Sequence, residues 1–194
     1  MQGLVQSLGA SDGAIRWRAA EALGNLGPEA DSAVPALTGA LRDRSADVRW
    51  RAAEALGKVG AAAGVAVSSL AALLRDPDDL VRGEAAKALG RLGAASEPAV
   101  PALSDGLRHP AVAFRREVAK ALARIGPGAR EAVPALTAAL GDKDKFVRME
   151  SARALGNVGP HARAALSALT AAARDPELLV ARQAQEALKK VGTE

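Results

Sequence analysis

The chain repeats itself every 33 residues. The nine residues RWRAAEALG occupy positions 16–24 and return unchanged at positions 49–57. An Ala-Leu-Gly slot at residues 22–24 recurs at the same spacing down to residues 187–189, keeping Ala and Leu each time, and no insertion interrupts it. A period of this length is typical of proteins built from stacked units, because one such unit cannot bury its apolar face alone.

The composition indicates that these units are helical. Of the 194 residues, 49% are apolar, yet there are only two Trp, two Phe and no Tyr, so Ala, Leu and Val supply most of the apolar surface. Ala is the strongest helix former, whereas the aromatic residues that favour strands are nearly absent. The sequence therefore predicts an all-α chain in which small residues let helices approach closely.

Each unit begins with a first helix that has one apolar face. The apolar positions of the first copy are spaced three and four residues apart: Ile15, Ala19, Ala22, Leu23 and Leu26. Asp76 before Pro77, and Asp175 before Pro176, are predicted to cap the start of this helix. One column holds glycine in every unit, which predicts a left-handed residue at the helix end: Gly27, Gly60, Gly93, Gly126, Gly159 and Gly192.

A second helix follows, with Val34, Leu37 and Leu41 as its apolar stripe. The predicted fold class is therefore all-α, an α-solenoid (α/α superhelix) of helical-hairpin repeats with a 33-residue period. We expect a single array over residues 1–194, with a partial repeat at 1–10 and repeats that begin at residues 11, 44, 77, 110 and 143. Residues 176–194 are expected to form a terminal capping helix, because polar residues replace the usual small ones on one of its faces.

The two halves of the unit resemble a known family. Residues 48–60 follow the pattern VR-x-x-AA-x-ALG-x-x-G, and residues 33–43 follow AVPAL-x-x-AL-x-D. Both resemble the HEAT-like repeat family, in the subclass shared by bilin lyases and many bacterial repeat proteins. The resemblance implies that the first helices line a concave surface and the second helices a convex one. It says little about function, because such scaffolds serve unrelated tasks.

One slot of the first helix varies strongly from unit to unit, reading Trp17, Trp50, Gly83, Arg116, Met149 and Arg182. Exposed Trp beside Arg is typical of an interface hot spot, so the two Trp residues are candidates for partner binding. The alternative is that each indole covers the neighbouring repeat as partial core. Leu80, Phe146, Met149 and Leu179 are expected to add apolar contacts along the same surface.

Charged residues on the first helices fall into two groups. Five opposite pairs three residues apart are interpreted as solvated helix-surface pairs: Arg18–Glu21, Arg51–Glu54, Glu84–Lys87, Glu117–Lys120 and Glu150–Arg153. Lys87 with Arg91, and Lys120 with Arg124, instead place like charges four residues apart, which costs stability. With Arg116 they are predicted to form a basic stripe, in which Arg91 and Arg124 have no compensating acid. The predicted partner-binding residues are Trp17, Trp50, Lys87, Arg91, Arg116, Lys120, Arg124, Met149 and Arg153.

An Arg column is assigned to structure rather than to function: Arg16, Arg49, Arg82, Arg115 and Arg148. Its members resemble the framework Arg of the HEAT-like family, which implies bonds to the inter-helix Asp or to carbonyls of the next repeat. Ala181 replaces it in the last repeat, which fits that role.

Chemistry at an active site is not expected. His109 and His161 lie in different columns and lack partners for a metal centre, and there is no Cys and no phosphate-binding glycine loop. We therefore predict no enzyme activity, no metal and no cofactor. Two enzyme alternatives stay open from the resemblance: a HEAT-like DNA glycosylase, which would use Trp, Arg and a carboxylate, and a bilin lyase.

The preferred hypothesis is a binding module. The first-helix surface would hold an acidic protein segment or peptide, contacted by the Trp pair and the basic stripe. The alternative is a nucleic acid bound through its phosphates, although the net charge of +4 is mild. No leader peptide and no apolar run long enough to span a membrane are recognised, so a soluble, cytoplasmic protein without membrane contacts is expected.

Overall fold

A computed structural model describes residues 1–192, and their α-helices follow the predicted repeat. In chain order the helices are α1 (Gln2–Ser7), α2 (Gly13–Leu26), α3 (Val34–Ala40), α4 (Ala46–Val59), α5 (Val67–Ala72), α6 (Asp79–Leu92), α7 (Val100–Gly106), α8 (Val112–Ile125), α9 (Val133–Ala139), α10 (Lys145–Val158), α11 (Leu166–Ala172) and α12 (Leu178–Gly192). The all-α prediction is confirmed. Residues 193 and 194, which the predicted terminal helix includes, lie outside the described residues.

Even-numbered helices are the first helices of the repeats, and odd-numbered helices are the second ones. A first helix of 14 or 15 residues is followed by a 3-10 segment, such as Ala61–Ala66, and then by a short second helix. Five members of the glycine column have φ between 58° and 81°, as predicted: Gly27, Gly60, Gly93, Gly126 and Gly159. The sixth, Gly192, is the last residue of α12.

The predicted helix caps were wrong. Helix α6 begins at Asp79, and its N-cap is Asp78, whose side chain accepts from the backbone N–H groups of Leu80 and Val81. Asp76 lies two residues earlier and accepts from the Asp78 N–H instead, at 2.9 Å. The Asp-Pro pair therefore belongs to the loop, and α12 likewise begins at Leu178, beyond Asp175-Pro176.

Two compact units are resolved by their internal contacts, Met1–Ala95 and the chain from Ser96 onward, and each is described by itself. In the first unit α4 packs between α2 and α6, and α3 and α5 pack on α4 and α6. In the second unit α10 packs between α8 and α12 in the same way. The prediction that all repeats form a single array stays a prediction.

The apolar columns form the core of each unit, with two exceptions at the first helix. Val48 and Leu56 on α4 are fully buried, as are Leu37 and Leu70 on the second helices. Ile15 occupies the column of Val48 but is 48% exposed, and Leu26 is 37% exposed. The predicted burial of these two residues was wrong, because α4 lies between two first helices whereas α2 contacts only α4 among the described first helices of its unit.

A glycine on the first helix lets the next first helix approach closely. A Cβ atom built on Gly57 would lie 3.0 Å from the Cα of Ala88, and one built on Gly24 would lie 3.0 Å from the Cα of Ala55. In the second unit, a Cβ atom built on Gly156 would lie 2.9 Å from the Cα of Ala187. The spacing between successive first helices is therefore set by the contact of a glycine backbone on one helix with an alanine on the next.

Within each unit, Arg–Asp links tie a first helix to the loop before the next first helix. Arg49 Nε donates to Asp76 Oδ2 at 2.7 Å and its Nη2 donates to Oδ1 at 2.8 Å, 27 residues along the chain. Arg49 Nη1 donates to the carbonyls of Asp43 and Arg44. The same bonds recur in three other links: Arg16–Asp43, Arg115–Asp142 and Arg148–Asp175. The structural role is confirmed, but the carbonyls belong to the loop before the helix and not to the next repeat.

One buried hydroxyl in the second unit has no role in this framework. Ser151 on α10 is fully buried, and its Oγ has no hydrogen-bond partner within residues 1–192. Alanine occupies the equivalent position in α4 and α6, as Ala52 and Ala85. A buried polar group without a partner costs about 1–3 kcal/mol.

We expect Ser151→Ala to raise the free energy of unfolding by about 1 kcal/mol, because it removes this unpaired hydroxyl. Urea denaturation at neutral pH measures the change. Ser104→Ala is the matched control, since the Ser104 hydroxyl already donates to the Val100 carbonyl at 2.8 Å. A gain in the control equal to that of Ser151→Ala would show that the unpaired hydroxyl is not the cause.

Candidate binding surface

Trp17 and Trp50 lie on neighbouring helices of the first unit and share a pocket. Both indoles are half-buried, on α2 and α4 respectively. With Asp47 and Arg51 they line a pocket of about 230 Å³. Because the indoles form the walls of an open pocket, they are not sealed in the core.

Arg51 is held rigidly in this pocket. Its guanidinium lies over the Trp50 ring at 4.0 Å and near the Trp17 ring at 5.7 Å. It also forms ion pairs with Glu21 at 2.9 Å and Glu54 at 3.0 Å, one from each of the two helices. Stacking and pairing together leave Arg51 little conformational freedom, so the pocket is preformed.

The predicted ion pair between Arg18 and Glu21 was wrong. Glu21 binds Arg51 of the next repeat, and not Arg18 on its own helix as the spacing predicts. Arg18 is exposed and lies 5.6 Å from the Trp17 ring. The reason is geometric, since Arg51 reaches the carboxylates of both helices from a position over the indoles.

The cations predicted in the first unit are compensated by one acid. Lys87 and Arg91 on α6 both pair with Glu84, at 3.2 and 3.1 Å. Glu84 is 8% exposed, so it is also not the solvated residue that the i,i+3 interpretation assumed. The predicted Glu84–Lys87 pair is thus present. The prediction of uncompensated charge was wrong at Arg91, because Glu84 lies two turns before it on the same helix face.

Arg116 of the second unit is also paired. Its Nε donates to Asp144 Oδ1 at 2.8 Å, and its Nη2 donates to Asp144 Oδ2. The bonds from Arg116 lower the pKa of Asp144 to about 2. The guanidinium also lies over the Phe146 ring at 4.6 Å, and Phe146 is 37% exposed. Arg116 is therefore compensated, and it stacks on an aromatic residue of the next repeat.

A buried carboxylate on α10, Glu150, lies beside the predicted binding residue Arg153. Glu150 on α10 is 4% exposed and lies 3.2 Å from Arg153, without the geometry of a hydrogen bond. Burial raises the pKa of Glu150, although the charges of Arg153, Lys120 and Arg124 act in the opposite direction. Glu150 is thus a second acid that is not solvated, contrary to the prediction, while Lys120 pairs with Glu117 at 3.0 Å.

The second unit thus presents a mixed surface. Arg124 is exposed, and Met149 is half-buried one turn from Phe146. Of the predicted residues, Arg116, Lys120, Arg124, Met149 and Arg153 lie on α8 and α10, whereas Trp17, Trp50, Lys87 and Arg91 lie in the first unit. Asp47 and Asp144 are parts of these surfaces that the sequence analysis did not identify, because no local pattern marks them.

Within residues 1–192 there is neither a membrane-spanning helix nor a cluster of metal ligands. None of the helices within residues 1–192 combines the length and the apolar character needed to cross a bilayer. In the same residues, no three His, Cys, Asp or Glu side chains are grouped closely enough to hold a metal ion.

Comparison with known proteins identifies the repeat. The sequence model described as HEAT repeats matches residues 1–90, 61–123 and 100–189. None of the curated proteins matches the chain.

Solved structures match the chain over almost its whole length. The crystal structure of an engineered protein from the Northeast Structural Genomics Consortium has 26% identity and a TM-score of 0.80, covering 98% of this chain and 96% of that one. A designed armadillo repeat protein in complex with the peptide (KR)4 has 21% identity and a TM-score of 0.81, covering 97% and 98%. The CpcE–CpcF complex of phycocyanin lyase from Nostoc sp. PCC7120 has 29% identity and a TM-score of 0.68, covering 98% and 76%. These matches confirm the α-solenoid fold class.

Proposed function

The chain belongs to the HEAT-repeat family, and on that premise we propose that it is a non-enzymatic binding module for a peptide-like segment of a protein partner. The first helices hold the segment, and the Trp17–Trp50 pocket anchors it. The observation that carries the proposal is the preformed pocket, in which Arg51 is locked between two indoles and two carboxylates.

The pocket has the properties of an interface hot spot. Such sites are rich in Trp and Arg and lie in well-packed recesses. Because Arg51 is already ordered, its side chain loses little conformational entropy when a partner binds to it. An apolar side chain of the partner packs against the two half-buried indoles in the pocket, with its backbone carbonyls near the guanidinium.

Charge in the second unit supports an acidic segment. Lys120 and Arg153 are each about 39% exposed despite their ion pairs, and Arg124 is exposed. Their acids, Glu117 and Glu150, are more buried than the cations are. A partner therefore meets cationic groups on the outside, which favours acidic residues and affects the association rate more than the affinity.

The solved relatives support the general form of this proposal. One designed armadillo repeat protein is described in complex with a peptide, and CpcE is described in complex with CpcF. An α-solenoid can therefore hold a peptide or a partner chain. Nucleic acid has less support, since Arg91 and Arg116 already bind carboxylates and are less available for phosphates.

The two Trp residues of the pocket are the only Trp residues in the chain, so intrinsic fluorescence reports on the proposed site directly. A displayed library of random peptides, selected on the protein, is expected to yield sequences that combine acidic and apolar residues. Their binding should change the fluorescence. Trp50→Ala should weaken binding at least about tenfold, because it removes one wall of the pocket.

Val65→Ala is the matched control, since Val65 is an 82% exposed apolar residue of the same unit outside the first helices. Its affinity for the selected peptides should stay within about twofold of the wild type. Equal affinity in Trp50→Ala and the wild type would reject the pocket as the anchor. Tight binding of labelled DNA or RNA that falls steeply with salt, without any selected peptide, would favour nucleic acid instead.

A further inference from the structure

A second recess lies at the loop edge of the second unit, away from the first-helix surface described above. It has a volume of about 510 Å³ and is lined by residues 107–110, Val112, Arg115 and residues 141–143. Residues 107–110 and 141–143 belong to the loops that precede α8 and α10, and Val112 and Arg115 lie in the first turn of α8. None of the predicted partner-binding residues lines it.

The hydrogen-bond acceptors of this recess are already used. Both carboxylate oxygens of Asp142 accept from Arg115, at 2.7 and 2.9 Å, and one of them also accepts from the Asp144 N–H. The carbonyls of His109 and Pro110 each accept from Arg115 Nη1 at 2.9 Å. A ligand that donates hydrogen bonds therefore finds these groups occupied.

Two cations of the recess are available to a ligand. Arg108 and Lys143 are exposed, and within residues 1–192 the structure gives neither side chain an ion pair or a hydrogen bond. In the repeat that begins at residue 44, the residue equivalent to Lys143 is Arg44, which donates to the Ser11 carbonyl at 3.2 Å. The acidic side chain in the lining is Asp142, which Arg115 neutralises.

A missing side chain opens the recess. Gly141 stands in a column that holds arginine in four other repeats, as Arg42, Arg75, Arg108 and Arg174. A Cβ atom at Gly141 would meet only a helix carbonyl, at 3.5 Å, so space and not backbone strain distinguishes this position. Pro110 is exposed beside it and Val112 is 39% exposed, which gives the recess an apolar wall.

We propose that this recess binds a carboxylate carried by an apolar residue, such as the carboxyl terminus of a partner chain. The guanidinium of Arg108 and the ammonium of Lys143 supply charge-assisted hydrogen bonds to the carboxylate oxygens. Pro110 and Val112 contact the hydrocarbon part, which inorganic phosphate lacks. The site is separate from the Trp17–Trp50 pocket, so each can hold or fail independently.

N-acetylleucine is the probe, because it joins one carboxylate to one apolar side chain. Titrated into the isotope-labelled protein, it should shift the backbone amide signals of Val112, Gly141 and Lys143 and saturate at about 1–10 mM, as expected for so small a ligand. N-acetylleucinamide, which lacks the charge, and inorganic phosphate, which lacks the apolar part, should each bind at least tenfold more weakly.

Charge reversal and steric filling test the two features separately. The Arg108→Glu and Lys143→Glu double variant should weaken binding of N-acetylleucine more than tenfold. Arg174→Glu is the matched control, since Arg174 is exposed and equivalent to Arg108 but lies outside the recess, and it should change binding less than twofold. Gly141→Gln fills the recess without changing its charge and should also abolish binding.

The opposite results would overturn the proposal. Equal binding of the amide would show that charge is not recognised, and tighter binding of phosphate would show that the apolar wall plays no part. An equal loss in Arg174→Glu would reduce the effect to overall charge. Undiminished binding in either the double variant or Gly141→Gln would place the ligand elsewhere.

Discussion

Replacing Asp76 by alanine should lower the free energy of unfolding by about 3 kcal/mol. The substitution removes both bonds to Arg49 and the bond to the Asp78 N–H, and it leaves the Arg49 guanidinium in a largely buried position. Breaking a buried ion pair from one side costs about 3–5 kcal/mol, and the lower end applies here because Arg49 keeps its carbonyl bonds. Urea denaturation at pH 7 measures the loss.

Asp79→Ala is the matched control for this variant. Asp79 lies three residues away, its side chain is 79% exposed, and it pairs with Arg82 on the helix surface. A surface pair contributes about 0–1 kcal/mol, so the control should lose less than about 1 kcal/mol. A loss in Asp76→Ala no greater than that of the control would mean that the Arg–Asp links do not stabilise the repeats.

The same variant has a defined pH dependence. Burial alone would raise the pKa of Asp76, but the bonds from Arg49 and from the Asp78 N–H outweigh it and lower the pKa below its ordinary value. A lowered carboxyl pKa stabilises the folded state above the unfolded pKa of about 3.9, and this contribution is lost as the pH falls through the folded pKa. The difference between wild type and Asp76→Ala should therefore be constant above about pH 5 and shrink below about pH 4.

Gly57→Ala should lower the free energy of unfolding by about 2 kcal/mol. The new Cβ atom would lie 3.0 Å from the Ala88 Cα and 3.2 Å from its Cβ, so α4 and α6 must move apart. Forcing an extra methyl group into a well-packed contact costs about 1–3 kcal/mol. Alanine would otherwise stabilise a helix interior by about 1 kcal/mol, so any net loss reports the clash.

Gly83→Ala supplies the control, because Gly83 lies inside α6 and has nothing within 4 Å of the added Cβ. This variant should gain about 0.5–1 kcal/mol from helix propensity and the less flexible unfolded chain. The two substitutions should thus have opposite signs in the same unit. A gain in both would show that the spacing of α4 and α6 adapts freely to the added methyl group.

The sequence predicted the helical elements well because their signals are local. Gly60 and its equivalents end the first helices in a left-handed conformation, and Val67, Leu70 and Leu56 are buried as their spacing indicates. Each of these residues is read from neighbours within two turns of the same helix. Periodicity then multiplies the evidence, since every repeat gives the same result.

The predictions that failed depend on residues far apart in the chain. Asp76 looks like a helix cap beside Pro77, but its main partner is Arg49, 27 residues earlier. Arg116 looks unpaired on α8, but Asp144 lies 28 residues later. Charge rules for residues three or four apart on one helix do not include such partners. These contacts depend on how successive first helices pack against each other.

In the Trp17–Trp50 pocket, too, the sequence indicates some features, whereas others are seen only in the structure. The 33-residue period places Trp17 and Trp50 in the same slot of successive repeats, and they line one pocket. The position of Arg51, over the Trp50 ring and between Glu21 and Glu54, required the structure. Whether these residues bind a partner stays a prediction.

The Arg–Asp links also bear on how such a chain can change in length. Each link spans 27 residues and joins a first helix to the loop before the next one, so both partners lie within one 33-residue block. Duplication or loss of a whole 33-residue block preserves the spacing of every remaining link, whereas a short insertion between the two partners carries the carboxylate out of reach. Duplication or loss of one block at the gene level therefore lengthens or shortens the protein while every Arg–Asp link is kept. A short insertion between the two partners breaks a link.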